Sequence, residues 1–329
     1  MRILLTGATG FLGYRTLERL VSLDYVTAVV ATGRKLLPYR KIENCKVVYK
    51  FGNLEDEVFV NNLTNGIDIV INTASLSSPW GQASEFTLAN IETQVNLMRA
   101  AKKNDVKKVI YISSPSVYFN GTNRFLIKES DPLPTRFINE YAKTKRQAEI
   151  LLEQSSLPYI ILRPRALIGR GDSIIMPRLI RANDEGKLRV IGNGDNVVDL
   201  TSVGNVVEAI ILSINAKDEA MNQIYNISND EPVLLWKSIE SVFNSLGKPM
   251  NKSKVPYKLA SFFARFLELK SSMLNNKEPV LTVYGVGTLA LSFTLDVTKA
   301  KQKLGYRPII TTQQSIDEFV NWYQSNEEM

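Results

Sequence analysis

A doubly wound α/β domain with a parallel sheet, joined to a smaller and mostly helical C-terminal substrate domain, is the fold that this chain predicts. Three observations predict it. Six short apolar runs alternate with helix-length segments, a glycine-rich turn follows the first run, and the rhythm breaks after Arg163.

The runs are RILLT at 2–6, VTAVVA at 26–31, KVVYK at 46–50, IDIVIN at 67–72, KKVIYIS at 107–113 and PYIILR at 158–163. Nearly continuous apolar strands of this kind belong to parallel sheets covered on both faces. Beyond Arg163, Gly169, Gly171, Gly186, Gly192 and Gly194 punctuate short segments, and VVDLTS and QIYNIS read as strands returning to the main sheet. The expected division is a dinucleotide-binding domain over 1–172 with returning strands near 196–228. A discontinuous substrate lobe takes 173–195 and 229–329.

Residues from about 230 to 290 read as mostly helical. Within them VPYKLASFFARFLEL sets Val255, Leu259, Phe262, Phe263, Phe266 and Leu267 on one helical stripe. That stripe is expected to pack on the substrate cleft or the core, with contact at a membrane surface as the alternative. A helix from about Val297 should stop at Gly305, with Pro308 preventing continuation, and a final helix should start near residue 312.

Composition removes several classes of chemistry. Of 329 residues 44% are apolar, enough for a sizeable core. Cys45 is the only cysteine, which excludes an internal disulfide and a cysteine-rich zinc site. With no histidine, Ser-His-Asp, Cys-His and HExxH chemistries are excluded, and no metal site is expected. The net charge of +7 comes from scattered Lys and Arg, which fits an anionic small molecule and not nucleic acid. No apolar run of about 18 residues and no basic leader occur, so the expectation is a cytoplasmic protein without a spanning segment.

TGATGFLG, from Thr6 to Gly13, lies between the first strand and a helix beginning near Phe11. Glycines at 7, 10 and 13 allow a tight turn, close backbone approach to a pyrophosphate and seating of the helix on the sheet; Thr9, Phe11 and Leu12 complete the loop. No Asp or Glu occurs between Asp24 and Glu43, where an NAD site carries an acid for the ribose hydroxyls. Arg34, in ATGRK, could instead pair with a 2′-phosphate, so NADP(H) is favoured over NAD(H). Asn53 and Leu54 after the third strand, and Thr73 and Ala74 after the fourth, are the further candidates for cofactor contact; either stretch also fits a plain loop.

The reacting groups are expected in YAKTK and YISSPSVYFNG. Tyr141 and Lys145 stand at i and i+4, about 40° apart around a helix, so both can reach one point. A nearby ammonium favours tyrosinate. A Tyr–Lys pair alone also fits a solvated helix face, but Ser113, Ser114 and Ser116 fall at the carboxyl end of the fifth strand, where ligands bind in open α/β sheets. A serine there can hold a carbonyl oxygen while Tyr141 exchanges a proton.

Together TGATGFLG, SSPSVY, YAKTK and LRPRALIGRGD resemble the extended short-chain dehydrogenase/reductase family, which includes nucleotide-sugar epimerases and dehydratases. The resemblance implies a Rossmann fold, with Ser114 as the catalytic serine, Tyr141 as acid/base, and Lys145 lowering the pKa of Tyr141 and holding the nicotinamide ribose. It also sets the backbone of Pro164 near the nicotinamide.

LSSPWG at 76–81, VVDLTSV, YNISNDEPV and YGVGTLALSFTLD look most like the 3β-hydroxysteroid dehydrogenase-like branch and its bacterial 2-alkyl-3-oxoalkanoate reductases. Pro115 and Ser116 stand where dehydratases carry an acidic pair, and Asn53, Gly204 and Asn205 depart from commoner acidic residues. The expected function is NADP(H)-linked interconversion of a ketone and a secondary alcohol on an apolar, β-keto-acid or steroid-like molecule. A nucleotide-sugar epimerase with tightly bound NAD is the alternative enzyme, with Arg165, Arg170, Arg178, Arg181 and Arg189 available for a diphosphate. A non-catalytic NADP-binding regulator or assembly factor is the alternative from another class. Dimerisation in the family through helices equivalent to 90–103 and 141–154 makes a homodimer one option.

Overall fold

The computed structural model describes residues 1–274 and 277–327. Seven parallel strands form its main sheet: β1 (Arg2–Thr6), β2 (Ala28–Gly33), β3 (Val47–Phe51), β4 (Ile69–Asn72), β5 (Lys108–Ile112), β6 (Tyr159–Pro164) and β7 (Gln223–Ile227). Their spatial order is β7-β6-β5-β4-β1-β2-β3. The chain builds outward from β1 to β3, then restarts at β4 on the other side of β1. This reversal opens a crevice at the carboxyl ends of β1 and β4, where such sheets bind ligands.

Alternate residues of each strand feed two cores, as the pleat requires. Ile3, Leu5, Val29, Ile71 and Ile110 pack with Leu17 and Leu20 of helix α1 (Phe11–Val21) and with Val206 and Ile210 of Val203–Ile214. Leu4, Val30, Val70, Val109 and Tyr111 pack on the opposite face with Val60, Leu97, Ala148 and Leu152. All six predicted runs are strands, displaced by at most two residues.

QIYNIS supplies β7, but VVDLTS does not return to the main sheet. Val197–Val198 pairs with Val233–Leu234 and with Phe293–Leu295, which in turn pairs with Arg124–Ile127; Thr201–Ser202 pairs with Leu167–Ile168. Two-residue pairings are too short for hydrophobic periodicity to assign them. Between the two pairings lies Asp199, whose buried carboxylate accepts the Leu295 N–H at 2.7 Å. The small sheet therefore draws 124–127 and 293–295 over one end of the main sheet.

Helices Leu235–Ser245, Tyr257–Leu274, Val283–Ala290 and Thr312–Glu327 contribute to a third core around Trp236, Ile239, Phe243, Ala264, Val286 and Phe319. A π-helical turn, Ala300–Leu304, stops at Gly305, which takes φ +70°. The stripe on Tyr257–Leu274 points the opposite way from expectation. Ala260, Ala264 and Ser271 are buried, whereas Leu259, Phe262, Phe263 and Phe266 are exposed, Phe262 by 67%. Small side chains let this helix approach its neighbours closely, and they leave the bulky ones in solvent. Among the described residues no helix is long and apolar enough to cross a membrane, and no group of His, Cys, Asp or Glu could hold a metal ion. Cys45 is exposed.

Candidate active site

The glycine turn sits at the carboxyl end of β1, built almost entirely from main chain. Gly7 takes φ +65°, and a Cβ on it would stand 2.7 Å from the Thr73 Oγ1 and 2.8 Å from the Ala74 nitrogen. A Cβ on Gly13 would lie 2.0 Å from the Gly7 carbonyl oxygen, so helix α1 is seated directly on the turn. Gly10 is the N-cap of α1 and offers no side-chain acceptor, which leaves the first helical N–H groups and the positive end of the helix dipole free for an anion. Backbone of this shape fits a dinucleotide pyrophosphate.

The turn has a brace that the sequence did not reveal. Arg40 is buried; its Nη1 donates to the Thr9 carbonyl at 2.9 Å and its Nη2 to the Gly171 carbonyl at 3.1 Å. Thr73 donates to the Thr6 carbonyl at 2.7 Å, tying the end of β4 to β1. Gly33, ending β2, abuts Thr9, and Arg34 follows it, exposed. Asn53, exposed, and Leu54, partly buried, follow β3 at the sheet edge, while Pro164 is buried at the end of β6. Gly7, Thr9, Gly10, Phe11, Leu12, Gly13, Thr73 and Ala74 are thus brought together, with Arg34, Asn53 and Leu54 in a row along the β2 and β3 ends.

Ser114 and Tyr141 meet above β5. Ser114 caps a short 3-10 turn, Pro115–Tyr118, accepting the Ser116 N–H at 3.2 Å. Tyr141 opens helix α2 (here Glu140–Glu153), whose N-cap Asn139 accepts the Ala142 N–H at 2.9 Å. The side chains of Ser77 and Ser114 both lie near enough to the Tyr141 hydroxyl to act on its titration. Burial pushes its pKa up, and the two serine contacts pull it part of the way back. Ser77 lies in LSSPWG after β4. Its loop is clamped by Asn90, which accepts the Leu76 N–H at 2.7 Å and donates to Thr144 at 3.1 Å from a π-helical turn, Thr87–Glu92. Ser113 is engaged elsewhere, its hydroxyl donating to Glu149 at 2.6 Å, and the Ser116 hydroxyl is buried without a partner.

Lys145 is buried one helical turn on. Its Nζ donates to the Ile112 carbonyl at 2.8 Å, 4.9 Å from the centre of the Tyr111 ring and 5.9 Å from that of Tyr141. Loss of hydration drops its pKa to about 7, and the negative charge of Glu149 opposes that drop. In the chain by itself Lys145 Nζ turns to a main-chain carbonyl and a ring face, and it is not among the groups that shift the Tyr141 pKa.

Behind the pair runs a buried polar chain. Arg163 from β6 grips Glu149 with two bonds, Nε to Oε1 at 2.7 Å and Nη2 to Oε2 at 2.6 Å, and its Nη1 reaches the Tyr118 hydroxyl at 2.5 Å. That hydroxyl donates to Asn226 of β7 at 3.0 Å. Glu149 is held below its ordinary carboxyl pKa by Arg163, Ser113 and Arg146 against the cost of its burial.

The five arginines considered for a diphosphate do not share one pocket. Arg170 pairs with Glu18, Arg178 with Glu278, Arg189 donates to the carbonyls of Gly186 and Leu188, and Arg181 is exposed. Only Arg165 stands near the reacting groups. Its guanidinium lies 4.8 Å from the Phe293 ring, and Tyr284 is within electrostatic reach of both Arg165 and Tyr141. Phe119, Tyr284, Phe293 and Phe137 make the surroundings strongly apolar.

A parallel sheet whose reversal point carries an uncapped glycine turn, with serine, tyrosine and a buried lysine on the next strand and helix, defines a nicotinamide-dependent enzyme of the short-chain dehydrogenase/reductase class. The chain belongs to the NAD-dependent epimerase/dehydratase family, whose model matches residues 3–228. It is 31% identical to the 2-alkyl-3-oxoalkanoate reductase of Shewanella oneidensis over 94% of this chain and 83% of that protein. It is 28% identical to the decarboxylating sterol-4-alpha-carboxylate 3-dehydrogenase of Mus musculus, over 95% of this chain and 88% of that one. Among solved structures, the dTDP-glucose 4,6-dehydratase DesIV of Streptomyces venezuelae, with NAD bound, superposes with a TM-score of 0.80 at 20% identity, covering 100% of this chain and 98% of that chain.

Proposed function

We propose that this enzyme interconverts a ketone and a secondary alcohol on an apolar molecule, a β-keto acid or a steroid-like ketone, using NADP(H). The observation that carries the reading is the convergence of Ser114, Tyr141 and the buried Lys145 at the carboxyl edge of the sheet. When bound, the dinucleotide supplies or accepts the hydride. The chain manages the proton and the oxygen. Tyr141 gives its hydroxyl proton to the carbonyl oxygen during reduction and takes it back during oxidation, while Ser114 donates a hydrogen bond that holds the developing alkoxide. Lys145, when protonated, would favour the tyrosinate left after transfer, an influence that the chain by itself does not exert on Tyr141. The aromatic surroundings keep water from the reacting carbon.

The NADP(H) preference rests on Arg34, exposed directly after Gly33, and on the lack of any acid from Val26 to Ile42. The substrate class rests on the apolar surroundings of Tyr141 and on the two relatives, whose named substrates both carry a carboxylate on the carbon next to the oxygen-bearing one. Tyr141→Phe should lower turnover about a thousandfold while dinucleotide affinity, read by quenching of tryptophan fluorescence, stays within about twofold. Substantial residual turnover defeats the proton-transfer role, and tighter binding of NADH than NADPH defeats the role of Arg34.

A further inference from the structure

Arg163 and Arg165 stand two residues apart and are treated in opposite ways. Arg163 has Glu149 and Tyr118 as partners. Among the described residues no guanidinium nitrogen of Arg165 donates a hydrogen bond and no carboxylate lies within ion-pair distance, while its Nε is buried without a partner. Asp199 is the acid that acts on it electrostatically. One Asp199 oxygen is already occupied by the Leu295 N–H, and Oδ1 has no partner.

A partly buried guanidinium whose Nε is cut off from water with no counter-charge in contact is unfavourable, and its pKa is pushed down accordingly. Arg165 keeps this position on the face of Phe293, with Tyr284 within electrostatic reach of both it and Tyr141. A planar guanidinium in an apolar recess is well suited to a carboxylate or phosphate. The other charges do not favour a diphosphate, since Arg170, Arg178 and Arg189 are engaged elsewhere.

We infer that Arg165 is the anchor for a free carboxylate on the substrate, so that the enzyme takes 3-oxo or 3-hydroxy carboxylic acids and discriminates against their esters and against simple ketones. This rests on the ketone–alcohol reading above and adds to it the group that the pocket selects. The carboxylate would complete the hydrogen bonds that Arg165 lacks and fix the neighbouring oxygen-bearing carbon against Tyr141 and Ser114.

The test follows oxidation of a 2-alkyl-3-hydroxy fatty acid and of its methyl ester with NADP+, by nicotinamide absorbance, in the natural enzyme, Arg165→Gln and Arg165→Lys. The natural enzyme should prefer the acid by about a hundredfold in kcat/KM. Arg165→Gln should erase that preference through the acid, leaving the ester within about threefold, and Arg165→Lys should restore part of it. Equal rates on acid and ester in the natural enzyme, or equal losses on both in Arg165→Gln, overturn the anchor and leave the ketone–alcohol reading standing. If the natural enzyme oxidises neither compound, the reading falls and the anchor with it.

Discussion

Helix Glu140–Glu153 turns charge inward, and helix Tyr257–Leu274 turns aromatic surface outward. The first buries Lys145 and Glu149, while the second exposes Leu259, Phe262, Phe263, Phe266, Leu269, Met273 and Leu274. Both invert the usual amphipathic rule. The inward charges each have partners: Lys145 has a carbonyl and a ring, and Glu149 has two arginines and a serine. Of the outward aromatics, Phe262 lies against Phe263 with ring centres 6.0 Å apart. Departures from local rules gather where a protein acts, and compensation separates a departure that sets geometry from one that leaves a surface open.

Removing a compensated charge should have the largest effect. Lys145→Met should abolish turnover, and its stability relative to the natural protein should depend on pH. Lys145 titrates at about 7 in the fold and near 10.5 when unfolded, so between those values the unfolded chain binds more protons. The natural protein is therefore penalised fully below pH 7 and regains stability as pH rises. The variant's advantage in unfolding free energy should shrink from pH 7 to 10, by an amount on the order of a few kcal/mol, as read by urea unfolding; an unchanging gap would contradict the buried-lysine account.

Arg163→Met comes next. It strands Glu149 in the core and should cost about 3–5 kcal/mol in urea unfolding, whereas Arg163→Met with Glu149→Gln should cost clearly less than the sum of the single changes. Strict additivity would show that the two side chains are not coupled.

Asp199 is half compensated, and its expected effect is smaller. Burial raises its pKa from 3.8 to about 6, so between these values the folded protein holds the extra proton and loses stability as pH rises. Asp199→Asn should match the natural protein near pH 4 and gain on it up to pH 6.5, by at most about 3 kcal/mol. Thermal melts across that range decide the matter. The smallest stability effect belongs to the outward face: Phe262→Ser with Phe266→Ser should move stability by less than about 1 kcal/mol while reducing retention on a hydrophobic-interaction resin. A large loss of stability would mean that the face is covered in solution.

The sequence made the repeating parts legible. Strand runs, the glycine turn, Ser114, Tyr141 and Lys145 are local patterns with fixed spacing, and each lies on its expected element. Ser77, Arg40, Glu149 and Arg163 escaped because their significance is tertiary. Ser77 acquires its role from the Asn90 clamp on its loop, and Glu149 acquires its role from an arginine fourteen residues on. Periodicity identified the stripe on the Tyr257–Leu274 helix but could not tell which side is buried, because Ala260 and Ala264 form a second apolar face suited to close packing. Arg165 was visible only as one arginine among five; its lack of partners is a property of the fold.

The glycine turn is a surface made by omission. At Gly13 the place of a side chain is filled by the backbone of Gly7, and at Gly7 it is filled by Thr73 and Ala74. Trimming a side chain cannot erase the main-chain donors there, whereas a single added methyl group would jam the turn. This part of the enzyme is thus chemically hard to delete and sterically easy to break, the reverse of Tyr141, where one oxygen holds the chemistry and its removal leaves the shape intact.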